Sequence, residues 1–533
     1  MKRLIPIVII AALLLLCVPF PVSAAPSGDV WDGETITVPS KKVQKDGVEY
    51  YEITKCSELA YVAQIGGEWL SQNYLLKNDL ILNDITIEWN VGGNLITNPE
   101  TLYEWTPIGS NEKRFTGVFD GENHQISGIY IQDTNEENYC GLFGIVGYPG
   151  TAGCVKNIQV NNSFISSKNA AGGIAGCIEN NYSYTNVGIK SCSFDGLVIS
   201  SAEGVGGIVG ISDSFISNCL NYGYVIGKSK VGGILGYTLR SGVHIYIKNC
   251  ANKGKVIGNN EVGGIVGYCL NPFIIENSYN LAEIKGDSLV GGVVGNGDCA
   301  NLKNTYNVGN VSSASSENVG AIIGSDGALY AKDTIEGCYY LKSNTVNTEI
   351  FGCGNAATAG GDPYGFYVKS SEEMKQQGTY EGWDFETRYY DWGGIKESVW
   401  SISPSINEGY PFLSWENPPA PIVNAPYILS PLTIRTESGS SLSAIPNGSF
   451  LVTIPVTKQT DSGDAMVLLA SYTASGQYRG LLYMELEDVP VGSTVKATIL
   501  VDNKSNDINQ LKAFVTSGFG SFTPLGEPGV FPA

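Results

Sequence analysis

Histidine is almost absent: His124 and His244 are the two in a chain of 533 residues, they stand 120 positions apart, and neither belongs to an HExxH pattern. A zinc peptidase therefore lacks its ligands, and a Ser-His-Asp hydrolase would have to recruit one of these two rings with no GxSxG to supply the serine. His124, just after Asp120-Gly121, reads as a hydrogen-bonded turn residue. Basic residues are also scarce, 32 Lys and Arg against 52 Asp and Glu for a net charge of -20. They form no cluster, which argues against nucleic acid and anionic membrane as partners. Arg240 is the single arginine between 141 and 340, and the acids there are scattered singly. That is poor material for a polysaccharide lyase, which gathers carboxylates around a cation and sets a Lys or Arg beside them as base. No apolar run long enough to span a bilayer follows the first two dozen residues, and within the repeated region from 141 to 340 no stretch of 10 to 15 residues keeps a helical period.

At the start, Lys2 and Arg3 precede an apolar run from Leu4 to Val18 and the small pair Ser23-Ala24. This is read as a signal peptide over 1–24, so a secreted, extracellular protein is expected, associated with a cell surface or free. A lipid anchor at Cys17 is the rival reading, disfavoured by the leucines that precede it. The mature chain keeps 11 cysteines of 12, an odd number.

Glycine, in contrast, is plentiful at 66 residues, and much of it falls in one phrase. AGGIAGC at 171–177 returns as VGGIVGI at 205–211, VGGILGY at 231–237, VGGIVGY at 262–268, VGGVVGN at 290–296 and VGAIIGS at 319–325. The second glycines, Gly173, Gly207, Gly233, Gly264 and Gly292, and then Ala321, are separated by 34, 26, 31, 28 and 29 residues, and Gly141 in CGLFGIVG extends the series upstream. A second phrase keeps the same period: KSCSFDGLVI, SNCLNYGYVI, KNCANKGKVI, ENSYNLAEIK, KNTYNVGNVS. Short β-branched runs recurring near every 30 residues cannot bury their apolar side alone and must stack. The expected fold is all-β: a right-handed parallel β-solenoid with one turn per glycine phrase, the glycines serving tight turns and close backbone approach. The second phrase aligns Cys192, Cys219, Cys250, Ser278 and Thr305 in a column of small buried residues. Two positions on, Phe194 is followed by Asn221, Asn252, Asn280 and Asn307, which predicts an asparagine ladder. Stacked thiols stand too far apart for disulfides and cannot surround a zinc ion, so free thiols are expected, with neither metal nor cofactor.

Between those columns, Leu220, Ala251, Tyr279, Tyr306 and Tyr339 share one slot. An exposed tyrosine stripe would stack on sugar rings; a buried one would be a core ladder, the favoured reading. After Trp415 a proline-rich hinge, NPPAPIVNAPY, leads to alternating runs such as SFLVTIPV and AMVLLASYTA, the pattern of an Ig-like antiparallel β-sandwich. The expected domains are a cap with one short helix at 25–110, the solenoid at 111–417 and the sandwich at 418–533.

The glycine phrase and its flanks, ITKCSELAYVAQI, EWTPIGS, FTGVFDGENHQISGIYI and NEGYPFLSWE, resemble the GLUG-motif repeat of bacterial secreted and surface proteins, which include adhesins and immunoglobulin A peptidases. SYTASGQYRGLLYMEL and QLKAFV resemble a small C-terminal β-domain of secreted Firmicutes proteins. The resemblance implies a β-solenoid in a surface setting and implies no catalytic residue. The functional expectation is a non-catalytic, adhesin-like binding protein whose partner is a glycan or a host or cell-surface protein. The alternatives are a carbohydrate-active enzyme of the polysaccharide lyase type on the same solenoid, and a structural spacer.

Overall fold

The computed structural model describes residues 28–531, apart from 148–152, 180–187, 240–244, 271–272, 298–299, 316–317, 327–334, 343–351, 355–364, 387, 390–394, 397, 405, 417–426, 430–431, 459–464, 474–477, 487–492 and 517–528. The expected leader, His244 and Cys299 lie outside the described residues. The chain divides into two compact units, Met1–Ser371 and Glu372–Ala533.

The first unit is a parallel β-solenoid. The turn with strands Ser229–Gly232, Leu235–Thr238, Ile245–Lys248, Ala251–Asn252 and Val256–Ile257 pairs strand for strand, all parallel, with Asn260–Gly263, Val266–Cys269, Phe273–Glu276, Tyr279–Asn280 and Ile284–Gly286. Like residues therefore fall on like. Val205, Val231, Val262 and Val290 form one column, Val209, Leu235, Val266, Val294 and Ile323 another, and every member is fully buried. At about 1.5–3 kcal/mol for each buried side chain of this size, such columns are the main drive for adding a turn.

The glycine phrase is a corner between two of the sheets. In VGGILGY the strand Ser229–Gly232 ends, Gly233 and Ile234 turn the corner, and Leu235–Thr238 begins. Gly233 is required by close approach: a Cβ there would lie 2.2 Å from the Gly264 carbonyl oxygen and 2.3 Å from Cγ of Asn252. Gly207 and Gly292 meet Asn221 and Asn307 at 2.3 Å in the same way, and Gly173 meets the Phe194 ring at 2.2 Å. The two phrases thus share one period because the glycine of the first is the floor on which the asparagine of the second lies. Gly141 is not the upstream member of that column. Cys140 pairs with Ala171 and Phe143 with Ala175, so Gly141 aligns with Gly172, and Leu142 takes the Gly173 place in a corner one residue shorter.

The asparagine ladder is continuous. Nδ2 of Asn221 donates to Oδ1 of Asn252 at 2.8 Å, Asn252 to Asn280 at 2.7 Å, Asn280 to Asn307 at 2.8 Å, and Asn307 to the Ala321 carbonyl at 2.9 Å. Each amide also exchanges two bonds with the backbone two residues on, as Asn252 does with the Gly254 carbonyl at 2.8 Å and the Gly254 N–H at 3.3 Å. A second ladder lies three positions earlier, where Asn249 donates to Asn218 at 3.0 Å, Asn277 to Asn249 at 3.2 Å and Asn304 to Asn277 at 3.2 Å. These four asparagines have φ between 50° and 54°, a left-handed conformation that asparagine tolerates better than most residues, and Gly337 continues the position at φ 61°.

Cys192, Cys219 and Cys250 stack as free, buried thiols, and Thr305 Oγ1 donates to Cys338 Sγ at 3.2 Å. Burial, then the neighbouring Cys219, pushes the Cys192 and Cys250 thiols well above their ordinary range, and burial takes Cys338 up to about 12.

Parallel pairing already begins at Asp29–Val30 with Leu80–Ile81, so the segment expected as a cap is itself coiled into the ladder, together with the helix Cys56–Ile65. At the other end the ladder closes with Phe366–Lys369 on Ile335–Leu341, well before 417. The second unit starts with short antiparallel pairs such as Trp400–Ser401 with Phe412–Leu413. It continues into two antiparallel sheets, centred on Gly448–Lys458 and Ala465–Tyr472. Phe450, Val452 and Ile454 from one and Val467, Leu469 and Leu511 from the other share a core, which makes this region a β-sandwich.

Candidate functional site

The tyrosine slot is core. Tyr279 and Tyr306 are fully buried and Tyr339 is 3% exposed. The Tyr279 and Tyr306 rings stack with centroids 4.9 Å apart and planes 3° from parallel, and Tyr339 stacks on Tyr367 at 5.1 Å. Their faces point along the axis at one another, at close to the strand spacing, and none is open to a ligand.

The charged groups of the N-terminal turns are likewise committed. Asp120, 1% exposed, receives Lys45 at 3.0 Å, Lys156 at 3.2 Å and the Asn157 amide at 2.9 Å, while Glu122 receives Lys45 and Lys77. Burial alone would raise the Asp120 carboxyl, but the hydrogen bonds of Asn157 and Lys45, the Glu122 N–H and the Lys156 charge bring it down to about 2. His124 accepts the turn role expected of it: its N–H donates to the Gly121 carbonyl at 2.8 Å, and Nδ1 lies 3.0 Å from Oδ1 of Asp79. Among the described residues no three His, Cys, Asp or Glu side chains converge on a metal position.

An open site arises elsewhere, where the chain leaves the ladder between 82 and 102 and folds across the outer face of the solenoid. Asn90 organises the tip: Oδ1 accepts the N–H groups of Gly92 at 2.9 Å and Asn94 at 3.0 Å, Gly93 takes φ 80°, and Trp89 bridges Leu95. Asn162 pins the base, accepting the Ile87 N–H at 3.1 Å and donating to the Ile85 carbonyl at 3.1 Å. Ile87, Leu95 and Leu102 hold the loop down on Tyr130, Phe164 and Leu197.

Beneath the loop runs a groove of about 580 Å³. Its lining includes the half-buried Trp89, Asp84 from the loop, and Gln125, Asn161 and Asp195 from successive turns. Asn161 Nδ2 donates to Gln125 Oε1 at 2.9 Å, and Gln125 Nε2 to Asp79 Oδ2 at 3.3 Å, which fixes both amides. Neither the Asp84 nor the Asp195 carboxylate makes a hydrogen bond or ion pair with a described residue. Desolvation raises the Asp195 carboxyl, and no charge or hydrogen bond opposes it. The arrangement offers amide donors and acceptors, two carboxylates and one aromatic ring, with no lysine or arginine in the lining. It suits a ligand rich in hydroxyl groups and disfavours a polyanion; the basic residue a lyase requires is missing from this groove.

No family model matches the chain. It is similar over part of its length to two curated proteins. One, a putative Gly-rich membrane protein of Evansella cellulosilytica, is 36% identical over 78 residues, 15% of this chain and 9% of that protein. The other, halomucin of Haloquadratum walsbyi, is 26% identical over 144 residues, 27% of this chain and 1% of that protein. The chain thus spans a small fraction of either relative. Among solved structures, a putative immunoglobulin A1 protease from Bacteroides ovatus aligns over 69% of this chain and 93% of its own, with 21% identity and a TM-score of 0.38. No helix among the described residues is long and apolar enough to cross a membrane.

None of the groove residues was singled out by the repeat. The loop stands outside the period, and its one sequence signal was the turn NVGGN between the apolar runs ITIEW and LIT.

Proposed function

We propose that this is a secreted repeat protein of GLUG type that binds neutral glycans of a cell surface or matrix in the groove under the 82–102 loop and does not cleave them. The observation that supports the reading is Trp89 set beside the fixed amides of Gln125 and Asn161 and the unpartnered carboxylate of Asp195. Sugars present an apolar face, which an indole covers, and rings of hydroxyls, which amides and carboxylates bind in both senses.

The purified chain applied to a glycan and mucin array should retain neutral oligosaccharides, with no release of reducing ends or unsaturated sugars in a parallel assay. Trp89→Ala and the isosteric Asp195→Asn should each lower retention at least about tenfold, or 1.4 kcal/mol. Retention unchanged in both variants would refute the site. An array with no retained glycan would leave the spacer reading in its place, and sugar release would establish an enzyme.

A further inference from the structure

The second unit carries a surface of its own, independent of the groove. Among the described residues its sandwich has two long strands paired on one side only: Tyr478–Leu486, which pairs with Ala465–Tyr472, and Thr494–Asn503, which pairs with Gly448–Lys458. An unpaired edge offers a row of N–H and C=O groups to any other strand, and proteins that stay apart guard such edges with charge, proline or a bulge. Thr494–Asn503 is guarded by Lys496 and Asp502. Tyr478–Leu486 reads YRGLLYMEL; from Gly480 to Met484 it holds no charge and no proline, and its one register shift lies at the Tyr478 end.

Met484 and Leu486 pack into the sandwich core, so Leu482 lies on the same inward side, yet it is 40% exposed. Leu481 and Tyr483 alternate to the outward side, 41% and 55% exposed, beside Ala470 and Leu468 of the neighbouring strand. Three consecutive large apolar residues on an open edge are a liability for a protein that remains a monomer.

The two charges of the strand name the occupant. Arg479 and Glu485 stand at equal distances on either side of Leu482. When an antiparallel copy of the same strand is laid along the edge with Leu482 opposite Leu482, Arg479 falls opposite Glu485 at both ends, and Leu481 opposite Tyr483 on both sides of the centre. Sliding the copy by two residues, the smallest step that keeps both cores on one side of the sheet, sets Glu485 opposite Leu481 in one direction and Arg479 opposite Tyr483 in the other. Arg479 Nη2 lies 2.8 Å from Oδ2 of Asp507, and the guanidinium fork has further donors to offer a carboxylate.

We infer that the Tyr478–Leu486 edge is the docking surface for a second copy of this chain. The two sandwiches pair antiparallel about Leu482 in an isologous contact, which joins two four-stranded sheets into one of eight strands. The pairing uses the open backbone groups, brings the Leu482 side chains of both copies together and sets an Arg479–Glu485 pair on each side of the two-fold axis.

The test is charge reversal read by sedimentation velocity on the full chain, with circular dichroism showing that each variant is folded. The wild type should form a dimer that dissociates on dilution. Arg479→Glu sets acid opposite acid twice, Glu485→Arg sets base opposite base twice, and each should weaken association at least about tenfold. Both reversals in one chain restore the two pairs, and an equimolar mixture of the single variants restores them between unlike chains, so the double variant and the mixture should regain association. A wild type that stays monomeric at every concentration the protein tolerates overturns the inference. Association undiminished in the single variants, or not regained in the double variant and the mixture, overturns it as well.

Discussion

Replacing Asn252 with alanine is the most direct test of what sets the register of the solenoid. Asn252 is fully buried and makes four hydrogen bonds: from Asn221 at 2.8 Å, to Asn280 at 2.7 Å, and to and from Gly254 at 2.8 and 3.3 Å. Alanine removes all four. Asn280 Oδ1 keeps the Ala282 N–H at 3.3 Å, and Asn221 Nδ2 keeps the Gly223 carbonyl at 2.9 Å, so each loses half its bonding. The Gly254 N–H and carbonyl lose this amide, and one proton of Asn221 is left facing a void. Orphaning buried polar groups costs about 1–3 kcal/mol each, and with three affected the expected loss is about 3–5 kcal/mol. Asn304 supplies the comparison, since it ends the second ladder with one side-chain bond to Asn277 at 3.2 Å and is 9% exposed, so alanine there should cost about 1–2 kcal/mol. Urea unfolding followed by circular dichroism, with amide exchange at Gly254 as the local reading, distinguishes them. Asn252→Ala within about 1 kcal/mol of wild type, or no worse than Asn304→Ala, would refute the claim that the ladder holds the turns together.

Three further outcomes follow from the geometry. Asp120 has its carboxyl lowered in the fold, so its stabilisation is present above the ordinary carboxylate range and is lost as pH falls from about 4 toward 2. Wild type should exceed Asp120→Asn by roughly 1–2 kcal/mol at pH 6, allowing for the solvent-exposed lysine ends, and the gap should close by pH 2; a constant gap contradicts the assignment. Cys192, Cys219 and Cys250 should resist a thiol reagent at pH 8 in the native chain and react once it is denatured, and rapid native labelling would refute their burial. Gly233→Val forces a side chain against the Gly264 carbonyl and should cost about 3 kcal/mol or more, whereas Lys230→Ala gives up the ion pair to Glu203 at 2.6 Å and the contact with Tyr237 at 4.7 Å for about 1 kcal/mol; equal melting temperatures would contradict both.

The repeat made much of the solenoid legible. Strict translation from turn to turn means that a sequence column is a spatial column, and the slots of Asn221, Asn252, Asn280 and Asn307 and of Tyr279, Tyr306 and Tyr339 are register partners as aligned. Where the corner shortened by one residue, as at Leu142, the column slipped, because a motif match has no access to which carbonyl each N–H finds. The second ladder passed unread since asparagine beside a cysteine looks like ordinary turn chemistry until φ is known. Lys230, Glu261 and Leu289 show the same blindness: they share a φ near 55° inside the strand before the corner, and only Gly204, one turn earlier in that column, carries the glycine that would announce it. The groove was least legible of all, because the 82–102 loop obeys no period and its groove is completed by Gln125, Asn161 and Asp195 from three other turns.

The two asparagine ladders run in opposite senses, and this gives the growing end of the rod a grammar. In the inner ladder the earlier turn donates to the later, Asn221 to Asn252; in the outer one the later donates to the earlier, Asn249 to Asn218. A half-built solenoid therefore offers the incoming turn an unused amide proton at one column and an unused carbonyl oxygen at the other. A turn that docks one residue out of step, or a strand from another molecule, cannot answer both at once. On the N-terminal side both ladders stop inside the rod, where Phe194 and Ser191 stand in place of the next amides and pair with the preceding coil. Such a template would proofread the register of each coil as it is laid down.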